Sequence, residues 1–150
     1  MLRLLTLLVA LALIVPVAAA SADTKADMIA IMDKLGDNKP GNEALVDWDH
    51  LVINTPQTKN MNIQKMYAGM DANNKKAFRN SFLTSYSQSF QRTSNGHKFS
   101  DAAKMKGMLT VNDKGDHPTM TLHEKSGKGD LKVFFTRKGK TLLFQGMEKA

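Results

Sequence analysis

The spacing of apolar residues changes near Lys104, and this change constrains the fold more than any other feature of the chain. Before Lys104, apolar residues recur every three or four positions, which is typical of one side of an α-helix. After Lys104 they alternate with polar residues, which is typical of half-buried β-strands. Helices followed by consecutive strands predict an α+β domain, with N-terminal helices packed on one face of an antiparallel sheet.

Four strands are predicted after Lys104, and the connections between them contain glycine, at residues 112–116, 126–129 and 137–139. Such short connections join antiparallel neighbours. The alternating apolar residues are Met105, Leu109 and Val111; Met120 and Leu122; Leu131, Val133 and Phe135; and Leu142 and Phe144. A curved four-stranded antiparallel sheet wrapped around a helix makes a cone-like domain. Some apolar residues have the opposite strand parity, namely Met108, Phe134, Leu143 and Met147. The second face of the sheet is therefore either partly covered or an exposed apolar surface that favours association.

Four helices are predicted before the strands, from their apolar stripes and their end signals. They run from Asp23 to Leu35, around Leu45 to Val52, from Met61 to Met70, and from Asp71 to about Arg92. We expect Gly36 to end the first helix and Asp71 to cap the last. The last helix carries an aromatic stripe in which Phe78, Phe82, Tyr86 and Phe90 recur every four residues. This stripe drifts slowly around the helix axis.

The first 22 residues are predicted to be a cleavable signal peptide. Met1-Leu2-Arg3 is a short basic head, an apolar run follows it, and Ala20-Ser21-Ala22 suits a signal peptidase. The run is shorter than the roughly 20 apolar residues of a spanning helix. The sequence contains no cysteine, so neither a disulfide nor a lipid-attachment cysteine is available. We therefore expect residues 23–150 to form a single domain, exported and soluble in a periplasm.

Basic residues exceed acidic ones, and the excess lies mostly after Lys98. Without Arg3, the exported chain has 20 basic and 14 acidic residues. Outside the cytoplasm, such a charge suits an anionic membrane surface or a cell-wall polymer better than nucleic acid. The alternative interpretation is a solvated lysine surface that only aids solubility.

Two clusters of polar residues contain side chains that are able to support chemistry. His117 and His123 with Met120 have the donor types of a copper site, but a strand places Met120 on the other face from the two histidines. Asp47 and Asp49 flank Trp48 beside His50, yet the two carboxylates diverge by about 200° on a helix. Nucleophile and phosphate-binding motifs are absent from the sequence. We therefore expect no enzyme, with no catalytic residue, no metal and no cofactor.

The aromatic stripe has two interpretations that the sequence leaves open. It is either the core face of its helix or one wall of an apolar pocket between the helix and the curved sheet. The residues predicted to line that pocket are Phe78, Phe82, Tyr86, Phe90, Leu131, Val133, Phe135, Leu142 and Phe144.

Two segments resemble a known family. Val46-Asp47-Trp48-Asp49-His50-Leu51 is similar to a hydrophobic-Asp-aromatic helix start, and residues 70–86 resemble a capped helix with phenylalanines four apart and a later tyrosine. Both are similar to the periplasmic phospholipid-carrier family of the lipid-asymmetry pathway, also called the toluene-tolerance auxiliary family. The broader resemblance is to cone-shaped domains like nuclear transport factor 2. The resemblance implies a soluble periplasmic carrier.

Two functions are therefore expected as alternatives. The first is a periplasmic binder or carrier of a hydrophobic small molecule, a phospholipid or another acyl chain. The second is a non-enzymatic cell-envelope interaction module that uses a basic sheet face to bind an envelope protein or an anionic membrane surface. Neither involves nucleic acid.

Overall fold

The computed structural model describes residues 21–56, 58–124 and 129–149. Residues 1–20 of the predicted signal peptide lie outside the described residues. Residues 126–128 of the predicted turn at 126–129 also lie outside them. Within the described residues, no helix is both long enough and apolar enough to span a bilayer.

The described chain has an α+β fold in which helices precede most of the strands. The helices are α1 (Ser21–Asp37), α2 (Ile63–Ala68), α3 (Ala72–Ser94) and α4 (Phe99–Lys104). The strands are β1 (Val52–Asn54), β2 (Leu109–Asn112), β3 (Thr119–Leu122), β4 (Leu131–Lys138) and β5 (Thr141–Lys149). Two 3₁₀ turns, Asn42–Leu45 and Trp48–His50, connect α1 to β1.

The sheet has five strands in the order β1-β5-β4-β3-β2. The four predicted strands form the antiparallel meander β2 to β5. The prediction of a four-stranded, purely antiparallel sheet is wrong, because β1 adds a parallel edge to β5 through Val52–Gly146 to Asn54–Glu148. A Cβ atom at residue 146 would overlap the carbonyl oxygen of Val52, so Gly146 allows the two backbones to approach.

The helix predicted around Leu45 to Val52 is replaced by the two 3₁₀ turns and β1. The backbone of Val46 is extended, its bridge to Phe144 lies alongside β5, and the N–H of Asp47 donates to the carbonyl oxygen of Phe144 at 2.8 Å. Pairing with a strand nearly 100 residues away therefore overrides the local helical pattern.

The longest predicted helix agrees with the structure. The carboxylate of Asp71 accepts the N–H of Asn74 at 2.8 Å, which caps α3, and Asn95 ends it with a left-handed backbone. Gly36, by contrast, does not end α1. It lies inside the helix, where an added Cβ would come within 2.8 Å of the Phe90 ring. Gly36 therefore permits close contact between α1 and α3 rather than a helix end.

Helix α4 was not predicted, and Met105, expected in a strand, follows it with 48% of its surface exposed. The carboxylate of Asp33 on α1 accepts the N–H of Phe99 at 2.7 Å, so a residue distant in sequence holds the start of α4.

The core lies between α1, α3 and one face of the sheet. Its fully buried apolar side chains are Met28, Met32, Leu35, Met120, Val133, Phe135 and Phe144. The pairing of β4 with β5 shifts register between Phe134 and Phe135, which leaves Gln145 as an extra residue in β5. Because of this bulge, Met147 returns to the face that carries Phe144, and its predicted place on the second face is wrong.

Candidate functional site: an open aromatic groove

Seven aromatic side chains form a continuous row of ring contacts along α3. Neighbouring ring centroids are 5.3–6.4 Å apart, within the range of favourable aromatic pairs. In order the row contains Tyr67, Trp48, Phe78, Phe82, Tyr86, Phe90 and Phe99. Trp48, the second member, is held in place because its indole N–H donates to the carbonyl oxygen of Glu43 at 2.8 Å. The predicted aromatic stripe is thus the middle of a longer row.

The four members of the aromatic stripe do not share one environment. Each step of four residues turns the side chain by about 40° around the helix, so the last member is rotated by about 120° from the first. Phe78 and Phe82 face the edge of the sheet, whereas Phe90 faces Gly36 of α1 and stacks on Phe99 at 5.3 Å. The slow drift predicted from the spacing therefore divides the stripe between two surroundings.

An apolar groove of ≈ 490 Å³ runs between α3 and the β1 edge of the sheet. This volume lies within the range of small-molecule sites. Its lining residues are Ile53, Thr58, Ile63, Phe78, Phe82, Ser85, Tyr86, Ser89 and Met147. Phe78, Phe82 and Tyr86 are only partly buried although their neighbours on the core side are closed off. Apolar rings are therefore presented to an open space.

The predicted pocket residues are separated into three groups. Phe78, Phe82 and Tyr86 line the groove, whereas Val133, Phe135 and Phe144 are completely buried in the core. The remaining predicted residues, Phe90, Leu131 and Leu142, are partly buried against the core and are not among the groove-lining residues. The space between α3 and the middle of the sheet is filled by side chains, and the open space lies at the sheet edge instead.

Sequence reasoning missed the other wall of the groove, formed by Ile53, Ile63 and Met147. Ile53 belongs to the unpredicted strand β1, and Met147 reaches the groove through the β5 bulge. A glycine inside an alternating strand pattern, here Gly146, is a known sign of a bulge or a close backbone approach. That signal was present in the sequence.

The hydroxyl of Tyr86 is held at the buried side of the groove wall. It donates to the sulfur of Met32 at 3.9 Å. Burial, together with the nearby charge of Asp33, raises the pKa of Tyr86 above its usual value of 10.0. Tyr86 thus stays neutral at physiological pH and contributes an uncharged ring to the groove.

A second, more polar cleft of ≈ 460 Å³ adjoins the groove. Ile53, Thr58 and Ile63 line both spaces, so the cleft and the groove are adjacent. The other lining residues of the cleft are Leu51, Val52, Asn54, Lys59, Asn60, Met61, Asn62 and Gln64. An amphipathic ligand could place an apolar part in the groove and a polar part in this cleft.

Asp47 and His50 do meet, in a cluster that ties the 3₁₀ turns to β4. The carboxylate of Asp47 is 3% exposed and lies 2.8 Å from Lys138 Nζ and 3.1 Å from His50 Nδ1. Burial raises the pKa of Asp47, but hydrogen bonds and charge from Lys138 and His50 outweigh it, and the net pKa lies below 3.8. A buried carboxylate that already contacts Lys138 and His50 holds the turn that carries Trp48.

Both ring nitrogens of His123 are engaged. Nε2 lies 2.8 Å from Thr110 Oγ1 and Nδ1 lies 2.8 Å from Asp130 Oδ2, which joins β2 to the start of β4. His117, the other histidine considered for copper, is exposed. In the part of the chain that the structure describes, no group of three or more His, Cys, Asp or Glu side chains is arranged to hold a metal ion.

Comparisons with known proteins leave the geometry of the groove as the main guide to function. No protein-family model, no curated protein and no solved structure matches this chain.

Proposed function

We propose that the protein is a non-enzymatic binder or carrier of a hydrophobic ligand, and that the ligand is the acyl chain of a phospholipid or a related amphiphile. The observation that carries the proposal is the aromatic wall of Phe78, Phe82 and Tyr86, which is partly buried beside an open groove of ≈ 490 Å³. Rings in this position lose contact with solvent when an apolar chain enters.

The apolar lining of the groove favours the burial of an acyl chain. Each methylene that leaves water contributes about 0.8 kcal/mol, so six buried methylenes contribute about 5 kcal/mol before ordering costs. The lining contains three hydroxyl side chains, Ser85 and Ser89 on α3 and Thr58 on the opposite side. Few polar groups among many apolar ones is the usual composition of a lipid site.

The location and the family remain part of the proposal. The predicted signal peptide supports a periplasmic protein, and residues 46–51 and 70–86 support membership in the phospholipid-carrier family or in the wider class of cone-shaped domains. The described segments that resemble the family contribute Trp48, Phe78, Phe82 and Tyr86 to the aromatic row. The resemblance and the groove thus concern the same side chains.

The alternative function, a basic sheet face that binds an envelope partner, is less favoured. Several of the C-terminal lysines that prompted it lie near carboxylates: Lys138 near Asp47 at 2.8 Å, Lys104 near Asp101 at 3.3 Å and Lys149 near Glu124 at 3.8 Å. Lys132 lies over the Phe134 ring at 5.5 Å. The carboxylates near Lys138 and Lys149 reduce the charge that the sheet offers to a partner.

The test is native mass spectrometry of the protein purified in the form that the cell produces, followed by solvent extraction and lipid analysis. We expect an adduct of phospholipid or fatty-acid mass. Ser85→Trp and Phe82→Trp place a larger ring in the groove and should remove the adduct. The matched control is Gln88→Trp, on an exposed part of α3 that does not line the groove.

Loss of the adduct in both groove variants, with Gln88→Trp unaffected, supports the proposal. An apo mass for the unmodified protein, or full retention of the adduct in both groove variants, would contradict the proposal. Thermal melting of each variant separates a filled groove from a damaged fold.

A further inference from the structure

The segment that closes one side of the groove exposes large apolar side chains. Among the described residues, four large hydrophobic side chains are exposed, and three belong to this segment: Val52 at 39%, Met61 at 54% and Met66 at 40%. The fourth, Met105, lies after α4. We call residues 52–56 and 58–66 the groove-mouth segment. Clustered exposed apolar side chains on a small domain indicate a contact surface.

The groove-mouth segment and its surroundings are basic. The sequence from Val52 to Met70 contains Lys59 and Lys65 but neither aspartate nor glutamate. Both lysines are exposed, and Lys75 and Lys76 follow in the first turns of α3. Two carboxylates border the segment, and the four lysines outnumber them: Asp71 caps α3, and Glu148 accepts the side-chain N–H of Asn54 at 3.0 Å. The partner that fits this charge is anionic.

The exposed side chain of Met61 lies close to the groove. Met61 and Val52 line the polar cleft, and the cleft shares Ile53, Thr58 and Ile63 with the groove. A molecule that contacts Met61 therefore lies beside the cleft that adjoins the groove. Met66 is exposed on α2, one turn after Asn62, whose side chain caps that helix.

We propose that the groove-mouth segment docks the protein on an anionic phospholipid bilayer, with Met61, Met66 and Val52 in the headgroup–acyl boundary and Lys59 and Lys65 on lipid phosphates. Apolar side chains interspersed with lysines are the pattern by which peripheral elements bind anionic membrane surfaces. Only the purpose of this docking rests on the proposed function: it would bring the groove close to the lipid.

The experiment is co-sedimentation of the purified protein with vesicles at about 0.1 M salt. We expect binding to vesicles that contain phosphatidylglycerol and much weaker binding to vesicles of phosphatidylcholine alone. Met61→Ser/Met66→Ser and Lys59→Glu/Lys65→Glu should each weaken binding by about tenfold or more. The matched controls are Met105→Ser for the apolar pair and Lys106→Glu/Lys114→Glu for the basic pair, and both should bind like the unmodified protein.

Equal losses in the groove-mouth variants and the controls would overturn the proposal, because they would show that binding depends on the overall charge or apolar surface of the protein and not on this segment. Absence of vesicle binding by the unmodified protein would also overturn it. The same holds if chemical cross-linking joins Lys59 or Lys65 to an envelope protein while vesicles stay unbound.

A second measurement separates this proposal from the function of the groove. A fluorescent fatty acid, used below its micelle concentration and without vesicles, reports on the groove alone. Groove-mouth variants should keep this binding, and Ser85→Trp should lose it while it still binds vesicles. If Ser85→Trp keeps fatty-acid binding, the groove proposal fails and the docking proposal stands. If the unmodified protein binds the fatty acid but no vesicle, docking fails and the groove stands.

Discussion

The core rings of the sheet and the groove rings of α3 have the same chemistry and opposite surroundings. Phe135 and Phe144 are completely buried and meet edge to face at 6.4 Å. Phe78 and Phe82 are partly buried and stack at 6.4 Å, with the open groove on one side. The rings of the two pairs are therefore equally far apart, but the two pairs differ in what surrounds them.

The difference comes from what stands opposite each pair. Phe144 contacts Tyr86 of α3 at 6.0 Å, so the core rings are covered by a helix. Opposite Phe78 and Phe82 stands the short strand β1, whose three residues cannot cover the length of α3. A short edge strand thus leaves a groove where a longer one would complete the core. Substitutions of the core rings and of the groove rings should therefore differ in their effects.

The largest expected effect separates the two pairs directly. Phe144→Ala should lower the free energy of unfolding by about 3–5 kcal/mol, since it leaves a cavity in the closed core. Phe82→Ala should cost only about 1–2 kcal/mol, because part of that ring is already exposed. Chemical denaturation monitored by circular dichroism measures both values. Equal losses would mean that Phe82 belongs to the closed core and that the groove wall is not separable from it.

The next effect concerns the strand that forms the groove edge. Gly146→Ala should lower the free energy of unfolding by about 2–3 kcal/mol and release β1, because the new methyl group overlaps the carbonyl oxygen of Val52. Hydrogen exchange at Val52 and Ile53 should accelerate more than exchange in β3 and β4.

Gly36→Ala is the matched control for that substitution. Its methyl group would meet the Phe90 ring rather than a backbone atom, and alanine also favours the helix by about 1 kcal/mol. We therefore expect a smaller loss, with no release of β1. A larger loss from Gly36→Ala than from Gly146→Ala would contradict the view that β1 depends on a close backbone approach.

How much of this could be predicted from the sequence depends on whether the signals were local. The cap at Asp71, the length of α3 and the order of the meander follow from local patterns, and the structure agrees with them. Strand β1 pairs with residues nearly 100 positions later, and no local pattern distinguishes it from a helix end. The aromatic repeat at four-residue intervals is the same for a core ring and a groove ring. Only the three-dimensional position of β1 separates them.

A smaller effect concerns the contact of Asp47 with Lys138 and His50, which makes the stability of the fold depend on pH. Because its folded pKa is lowered, Asp47 contributes stability above its unfolded pKa of about 3.8, and this contribution is lost as the pH falls through the lower folded value. The expected size is about 1 kcal/mol, since Lys138 is half exposed and partly screened.

Urea denaturation between pH 7 and pH 2.5 measures that contribution. Asp101 also has a lowered pKa, through the backbone N–H of Lys98, so the unmodified protein alone does not isolate Asp47. The difference between the unmodified protein and Asp47→Asn does. It should narrow as the pH falls below about 4. A constant difference across this range would show that the carboxylate charge of Asp47 does not stabilise the fold.

The smallest effect concerns the one polar group on the aromatic wall that points into the protein. Tyr86→Phe removes the hydroxyl that donates to the Met32 sulfur and leaves the ring that lines the groove. We expect the free energy of unfolding to change by less than about 1 kcal/mol, since bonds to sulfur are weak, and fatty-acid affinity to change by less than about threefold. Fluorescent fatty-acid titration and urea denaturation measure the two quantities. Loss of binding with unchanged stability would mean that the hydroxyl turns from Met32 to the ligand. The groove would then recognise a polar group at this depth, and an acyl chain would be the wrong occupant.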